Sequence, residues 1–560
     1  MSNLRSIARA ALPLVMLASP ALAQSRTAGY HTAARLAAAL DSIARANPQT
    51  VRVTTLATSP GGRPVQLVRI GTSDEKPALL ILAGAYGPQL ASSEVALRLV
   101  RELAGRTGAT ANNTIYVVPR LNPDASEAFF APVRDERKGN DVKDDDDRDG
   151  AIDEDGPDDL NGDGLITMMR VRVDAGGEWM IDPVDPSLMR RADVTKGERG
   201  THRLMVEGKD ADGDDAFNED GAGGTDISIN FANNYTWFVP GAGQHQFSAP
   251  ESRAIAELVF ERVNIAAVYV LGMQDNLVKP WEGRRVPGIS GNPQGTSAGG
   301  PLTATLPEDN AWFTEMGRRA SRPVAGQDPV SAAEAGDPLS WAYFHMGRFA
   351  FGSRVWWPGK APADTAAARK APAPDAIAAQ RNDYRWLKAN DPAGFVEWTA
   401  VAGYTIDGKP VEVGGFAPGA TLNPAAATLD TLARKQADWV GELVKALPSV
   451  ALARTATVES VGPRVWRISA EVTNNGYLPT NAAIGVRSRL PRRVKVELTL
   501  GGTQLLTSGR KVQYIDALRG SGSVQRFEWL VVGDAGSTVT LTVGAPNSGS
   551  ATETITLRAR

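Results

Sequence analysis

The chain contains 560 residues, with 60 basic and 63 acidic side chains, no cysteine and four histidines. This length predicts about two to four domains, and 42% hydrophobic with 22% charged residues excludes disorder throughout. Without cysteine, disulfides, thiolate metal sites and cysteine nucleophiles are excluded, so a transition metal would need His, Asp or Glu ligands. The four histidines are His31, His202, His245 and His345.

Residues 1–23 have the features of a signal peptide. Arg5 and Arg9 precede an apolar run, and Ala21-Leu22-Ala23 matches a small-residue cleavage pattern. We therefore expect a secreted or periplasmic bacterial protein that is cleaved near Ala23. No later segment has the length and apolarity of a membrane span. Removal of Arg5 and Arg9 changes the net charge from −3 to −5, which gives no reason to expect nucleic acid or an anionic membrane as a partner.

The region from residue 24 to 447 is predicted to be an α/β domain. Strand-like runs cover 51–55, 65–70, 78–83, 114–118 and 263–271, and helical apolar spacing covers 92–103, 248–262 and 428–447. Runs that are apolar throughout are typical of strands buried on both faces. We therefore expect a mixed central sheet with helices on both faces, interrupted by a loop or linker-like segment at 358–379.

An acidic insertion lies at 141–221. Twelve acids between Asp141 and Asp163 oppose two basic residues, and segment 147–156 matches segment 212–221 at six of ten positions with an offset of 65. Acids at alternate positions followed by glycine allow a curled loop to direct several oxygens at one hard cation, so we expect structural calcium. The candidate ligands are Asp145, Asp147, Asp149, Asp153, Asp155, Asp159, Asn161, Asp163, Asp210, Asp212, Asp214, Asn218 and Asp220.

These loops are not true EF-hands. The twelfth position is Gly156 in the loop that starts at Asp145 and Arg170 in the loop that starts at Asp159, where an EF-hand has a bidentate Glu. A solvated acidic loop without metal is the alternative interpretation.

The region from residue 448 to 560 alternates apolar and polar residues, as in 466–473, 494–500 and 539–543. Short alternating runs separated by Gly, Asn and Ser predict a C-terminal β-sandwich.

Motifs in the α/β region resemble the zinc carboxypeptidase family, the carboxypeptidase A type of metallopeptidase. Ser59-Pro-Gly-Gly-Arg63 is similar to an S-x-x-G-R turn, Asn122-Pro-Asp124 to an NPDG turn and Phe247-Ser-Ala-Pro-Glu251 to F-S-E-P-E, while the segment from Gly224 to Phe231 is similar to G-x-D-L-N-R-N-F. The order and spacing of these motifs extend from about Tyr30 to Phe416. The resemblance implies a carboxypeptidase-like fold.

The same resemblance implies that the catalytic positions of the family are altered in this chain. The His-x-x-Glu metal ligands correspond to Tyr86 and Gln89, and the later His falls at Gln274, to within one residue of register. The Asn-Arg clamp for a substrate carboxylate corresponds to Ser228-Ile229, and the catalytic Glu to Arg354. Glu412 is an alternative base. Phenol and amide groups are poor zinc ligands, so the presence of zinc is doubtful.

Three functions follow from these observations. The favoured one is a non-catalytic carboxypeptidase-like protein that binds a peptide, a cell-wall fragment or a protein partner. An active metallocarboxypeptidase with replacement ligands is the second, and a calcium-stiffened extracellular adhesion protein is the third. The enzyme question therefore stays open at this point, as do the ligand and the oligomeric state.

Overall fold

A computed structural model describes residues 27–144, 150–213, 216–221, 223–277, 280–281, 303–324, 334–361 and 377–558. The predicted signal peptide and the central part of the linker-like segment lie outside these residues. The strands are β1 (Val51–Thr58), β2 (Pro64–Ile70), β3 (Ala78–Ala83), β4 (Thr114–Val118), β5 (Met168–Gly177), β6 (Trp179–Ile181), β7 (Met189–Arg191), β8 (Gly200–Val206), β9 (Ile265–Leu271), β10 (Phe349–Ser353), β11 (Phe395–Ile406), β12 (Lys409–Phe416), β13 (Val450–Leu452), β14 (Thr457–Gly462), β15 (Val465–Asn474), β16 (Val494–Thr499), β17 (Leu505–Ser508), β18 (Val512–Ile515), β19 (Ser523–Val532), β20 (Thr538–Ala545) and β21 (Gly549–Thr556).

The α-helices of the described residues are numbered in chain order in the same way. They are α1 (Ala33–Ala46), α2 (Leu90–Ala104), α3 (Pro123–Glu127), α4 (Pro250–Glu261), α5 (Pro307–Val324), α6 (Pro338–Phe344), α7 (Ala378–Asn390), α8 (Leu429–Ala446) and α9 (Ala483–Ser488).

The first sheet has the strand order β1-β2-β4-β3-β9-β10 and is mixed, as the sequence predicted. β3 pairs in parallel with β4 and β9, and β9 pairs in parallel with β10, whereas β1-β2 and β2-β4 are antiparallel. Every residue of β3, β4 and β9 is buried. Since successive side chains point to opposite faces, complete burial means that both faces of these strands are covered.

The parallel register aligns the carboxyl ends of three neighbouring strands. Ala83 of β3 pairs with Leu271 of β9, and Leu271 pairs with Ser353 of β10. The chain therefore leaves all three strands at the same edge of the sheet.

A second sheet, with the order β11-β12-β5-β8-β6-β7, is antiparallel throughout its described pairings. Four of its strands come from the acidic insertion, which the sequence had presented only as metal-binding loops. Its small core contains Met169, Val171, Val411 and Val413, all fully buried. The insertion is therefore partly folded into a sheet of its own, which the sequence analysis did not anticipate.

The C-terminal region is a β-sandwich, in agreement with the alternating pattern. One sheet contains β13, β14, β15, β17 and β19, the other contains β16, β18, β20 and β21, and buried residues of both form one core. On β16, buried Val494, Val496 and Leu498 alternate with Lys495 and Glu497.

The β-sandwich is joined to the α/β domain through a buried carboxylate. Asp309 of α5 is 2% exposed, and its Oδ1 accepts a hydrogen bond of 2.8 Å from the Ala483 amide at the start of α9. Its Oδ2 accepts one of 2.8 Å from the Tyr343 hydroxyl. Leu478, Ala482 and Ile484 extend the hydrophobic core of the α/β domain. The two domains therefore share a core at this contact.

Among the described residues, no helix combines the length and the apolarity that crossing a bilayer requires.

We predict that Asp309→Ala destabilises the protein by about 2–3 kcal/mol, because buried donors on Ala483 and Tyr343 lose their acceptor. Urea unfolding monitored by tryptophan fluorescence measures this change. The neighbouring Glu308→Gln is the matched control: Glu308 pairs with Arg487 at 2.9 Å with both side chains exposed, so a loss below about 0.5 kcal/mol is expected. Equal losses in the two variants would contradict the role of Asp309.

Candidate functional site

The shared edge of the first sheet brings together the positions that the sequence analysis selected. Tyr86 and Gln89 follow β3, Gln274 follows β9 and Arg354 follows β10 directly. We call these four residues the strand-end site. The carboxyl end of a parallel sheet is the usual location of ligand sites in open α/β folds.

The turn after β3 depends on Gly84, which has a φ of 66°. A Cβ at this position would lie 2.4 Å from the Ser93 hydroxyl and 3.0 Å from the Arg120 Cα. Glycine therefore permits both the left-handed backbone and the close approach. This turn leads to Tyr86 and to Gln89, which immediately precedes α2.

The two amides of the strand-end site are buried, and three of their polar atoms lack hydrogen-bond partners among the described residues. Gln89 is 1% exposed, and neither Oε1 nor Nε2 has a hydrogen-bond partner among the described residues. Gln274 is 4% exposed, and its Oε1 has none either. A buried polar group without a hydrogen-bond partner lowers the free energy of unfolding by about 1–3 kcal/mol. Such a cost is explained when a ligand or an ordered water completes the hydrogen bonds.

Tyr86 carries a neutral phenol. Burial raises the pKa of its hydroxyl well above the usual value, the negative charges of Glu136 and Asp226 raise it further, and Arg354 opposes them. The Lys138 ammonium lies 6.0 Å from the centre of the Tyr86 ring. The phenol is therefore a hydrogen-bond donor among charges of both signs.

Arg354 occupies the position where the family resemblance places the catalytic Glu. Its Nη2 donates a hydrogen bond of 3.3 Å to the Thr421 carbonyl, and its guanidinium lies 5.8 Å from the Trp357 ring. Burial lowers the pKa of Arg354, while Asp383 and Tyr86 oppose this effect. It is a cation and cannot act as a general base at neutral pH.

Several neighbours of the strand-end site were missed by the sequence analysis. Glu136, Lys138, Asp383 and Thr421 come from loops and from α7, and none belongs to a motif with a recognisable spacing. Glu136 Oε2 accepts a hydrogen bond of 2.9 Å from the Gly419 amide. Only the tertiary fold places these residues beside Tyr86 and Arg354.

Ser228 and Ile229 form a 3-10 turn, Ile227–Ile229, rather than a carboxylate clamp. Asp226 caps this turn: its Oδ1 accepts hydrogen bonds of 2.9 Å from the Ser228 amide and 2.7 Å from the Ser228 hydroxyl. The Ser228 side chain is thereby used within the turn, and Ile229 offers no charge. Neither side chain therefore offers a cation to a substrate carboxylate.

Glu412 lies on β12 of the second sheet. Its carboxylate forms a salt bridge of 2.8 Å with Arg170, whose guanidinium stacks on Trp398 at 4.3 Å. The structure therefore places Glu412 on a different sheet from the strand-end residues, already paired with a cation.

The histidines occupy other parts of the fold. His31 Nδ1 lies 2.9 Å from Glu94 Oε2, His202 is on β8 and His345 follows α6. His245 is exposed, and its Nδ1 contacts the Gln246 carbonyl at 2.8 Å. Together with the neutral Tyr86 and two amides, this means that the strand-end residues do not fit the donor set that zinc requires.

The described ends of the two acidic repeat copies, 150–156 and 216–221, contact each other, and this contact is called the repeat clasp. Asp155 and Asp220 form an antiparallel bridge and are separated by the repeat offset of 65. Asp155 Oδ2 accepts a hydrogen bond of 2.8 Å from the Asn218 amide, and Asp220 Oδ2 accepts one of 3.1 Å from the Asp153 amide. Asp153 and Asn218, also equivalent by this offset, have φ values of 58° and 59°. The internal repeat therefore forms a local two-fold arrangement.

The other calcium candidates divide into described and undescribed residues. Asp159 accepts hydrogen bonds from the amides of Gly162, Asp163 and Gly164. Asn161 donates to Asp163, and Asp210 accepts from the Gly213 amide. Asp212 is also described and exposed. The remaining candidates, which lie outside the described residues, are Asp145, Asp147, Asp149 and Asp214.

In the part of the chain that is described, no group of three or more His, Asp or Glu side chains is arranged to hold a metal. Calcium binding stays a prediction, since four of the candidates are outside that part.

Residues 36–168 match the family model described as zinc carboxypeptidase, which confirms the resemblance drawn from the motifs. The matched region includes Tyr86 and Gln89. Residues 452–556 match a second model, described as a domain of unknown function (DUF8731). No curated protein matches the chain.

Solved metallo-carboxypeptidases are also similar to this chain. Bovine thrombin-activatable fibrinolysis inhibitor, in complex with a tick carboxypeptidase inhibitor, has 12% identity and a TM-score of 0.40, with 74% of this chain and 96% of that chain covered. Carboxypeptidase A from Helicoverpa armigera has 14% identity and a TM-score of 0.38, with coverages of 67% and 79%. A metallo-carboxypeptidase from Burkholderia cenocepacia has 15% identity and a TM-score of 0.28, with coverages of 57% and 58%.

We predict that Gln89→Met stabilises the protein by about 1–2 kcal/mol, because it removes a buried amide that forms no hydrogen bond with any residue the structure describes. Gln436→Met is the matched control: Gln436 is 3% exposed, and its Oε1 accepts a hydrogen bond from Tyr269, so a loss of about 1 kcal/mol is expected. Urea unfolding of both variants measures the difference. A destabilised Gln89→Met would show that the amide is satisfied in the folded protein.

Proposed function

We propose that this chain, whose residues 36–168 match the zinc carboxypeptidase model, is a non-catalytic binding protein. Its strand-end site would hold a peptide, a cell-wall fragment or a segment of a protein partner. The observation that carries the proposal is the pair of buried amides, Gln89 and Gln274, at the positions of family metal ligands. Both polar atoms of Gln89 and the Oε1 of Gln274 lack hydrogen-bond partners among the described residues. A ligand with amide, hydroxyl or carboxylate groups would supply those partners.

The chemistry of the side chains argues against hydrolysis. Peptide hydrolysis in the family depends on a metal-activated water and a carboxylate base. Here the ligand positions have a neutral phenol and two neutral amides, and the position of the base has the Arg354 cation. Activity must be argued from the site rather than from the fold.

The charges around the site indicate which ligand groups it would accept. Arg354 and Lys138 are cations that would attract a carboxylate, and the Tyr86 hydroxyl and the Gln89 amide can donate to the same or adjacent oxygens. Asp226 and Asp383 would balance a cationic or amide N–H group. A peptide or an amide-rich cell-wall fragment carries both kinds of group.

A zinc assay with a restored site tests this proposal. We predict that the purified wild-type protein binds no stoichiometric zinc and releases no C-terminal residue from peptides, since its donor set does not fit the metal. The triple variant Tyr86→His, Gln89→Glu and Gln274→His should bind about one zinc per chain, because the three positions share one sheet edge. Elemental analysis and equilibrium dialysis measure both outcomes. Stoichiometric zinc in the wild type, with chelator-sensitive peptidase activity, would instead indicate an active enzyme with replacement ligands.

We propose that the acidic insertion binds structural calcium. The repeat clasp is supporting evidence, because it brings two carboxylate-rich segments of like charge against each other. A hard divalent cation with oxygen ligands would relieve that repulsion. The insertion also contributes strands to the second sheet, so its order affects the packing of that sheet.

We predict that calcium raises the thermal stability and that EGTA lowers it. Saturation at a hundredfold excess over the dissociation constant would add about 2.7 kcal/mol for one site. Differential scanning calorimetry measures the shift, with magnesium at equal concentration as the control, since magnesium requires near-octahedral geometry and gives up its water ligands reluctantly. Identical melting curves in calcium and EGTA would contradict calcium binding.

Export of the protein is part of the same proposal. Arg5, Arg9 and the Ala21-Leu22-Ala23 sequence support cleavage by a signal peptidase near Ala23. N-terminal sequencing of the protein from the periplasm or the medium tests this assignment.

A further inference from the structure

An arginine-rich groove lies in the C-terminal domain, apart from the strand-end site. Its volume is about 650 Å³, and α9 and the turn between α9 and β16 form much of its wall. The residues that line this groove, called the arginine groove below, are Asn481, Gly485, Val486, Arg489, Leu490, Pro491, Arg492, Arg493, Tyr514 and Asp516.

The charge around the arginine groove is strongly positive. The charged residues that line it are three arginines and one acid, in a chain whose net charge is −3. Concave surfaces lined by one sign of charge concentrate counter-ions and accelerate their association. The local excess therefore favours an anionic ligand.

Two of the groove arginines have no acidic partner among the described residues. Arg493 lies 3.4 Å from Asp516, whereas the exposed guanidinium groups of Arg489 and Arg492 form no ion pair or hydrogen bond with any described residue. Both groups keep all five N–H donors for a ligand. Planar guanidinium groups bind sulfate, phosphate and carboxylate oxygens in pairs.

Arg489 is also held in a strained backbone conformation. It caps the end of α9 with a φ of 58°, a left-handed conformation in which glycine is usual. A side chain other than glycine costs about 1–2 kcal/mol there. The buried Pro491 follows two residues later and restricts the turn. Strain of this kind is common at binding sites, where the direction of a side chain matters more than stability.

An aromatic ring completes the arginine groove. Tyr514 is 50% exposed, and the Arg493 guanidinium stacks on it at 4.5 Å. Tyr514 is the one aromatic residue among the described lining residues. Single-stranded nucleic acid is usually held by several rings that stack on successive bases, whereas one ring beside cations suits the apolar face of a charged sugar.

We propose that the arginine groove binds an anionic polysaccharide, with Arg489 and Arg492 contacting its acidic groups and Tyr514 contacting a sugar ring. This inference does not depend on the function of the strand-end site. It assigns a ligand to the C-terminal domain, which the carboxypeptidase resemblance does not cover.

Titration calorimetry of the full-length protein with a heparin-derived hexasaccharide tests the proposal. Arg489→Gly should weaken binding about tenfold while leaving the melting temperature equal or higher, because glycine relieves the left-handed strain. Arg492→Gln should weaken binding to a similar extent. The matched control is the double variant Arg454→Gln and Arg467→Gln, which removes two exposed arginines of the same domain that already pair with Glu471 and Glu459. This control should bind almost as the wild type does.

Three results would overturn the proposal. The first is no binding of the hexasaccharide at 50 mM salt, and the second is an equal loss in the control variant, which would indicate unspecific charge attraction. The third is tighter binding of a single-stranded DNA dodecamer that Arg489→Gly also abolishes, since this would assign the groove to nucleic acid.

Discussion

The parallel pairing of β3, β9 and β10 is the constraint on which the candidate site depends. Because Ala83, Leu271 and Ser353 are in register, the segments with Tyr86, Gln274 and Arg354 begin at one edge of the sheet. The buried strands, apolar on both faces, make this register hard to change, since a slip by one residue would turn side chains to the wrong face. The buried strands rather than the site residues therefore hold the sheet in this register.

All four side chains of the strand-end site are polar, although they are poor zinc ligands. Gln89 and Gln274 are buried amides whose polar atoms include three without hydrogen bonds, and Arg354 is half-buried. Apolar side chains of similar size at these positions would make the folded protein more stable. This cost in stability supports the proposal that the strand-end site binds a ligand. The same reasoning applies to Arg489, which keeps a strained backbone in the C-terminal domain.

Charge is divided between distinct parts of the molecule. Negative charge is concentrated in the acidic insertion, which is held together by its own strands and by the bridge between Asp155 and Asp220. Positive charge lines the arginine groove. Asp309 links the β-sandwich to the α/β domain through α9, of which Gly485 and Val486 line that groove. A ligand in the groove would therefore be close to the contact between the domains.

Local periodicity in the sequence determined β3, β4, β9, α2 and the alternating strands of the sandwich. An element buried on one face has apolar residues at the period of that face, and a strand buried on both faces is apolar throughout. Motif order likewise identified Tyr86, Gln89, Gln274 and Arg354. The tertiary structure alone decided that Arg170 of β5 pairs with Glu412 of β12, that Asp155 meets Asp220, and that Glu136 and Lys138 surround Tyr86. These contacts join segments far apart in the chain, and no local pattern encodes which distant partner a strand or loop will meet.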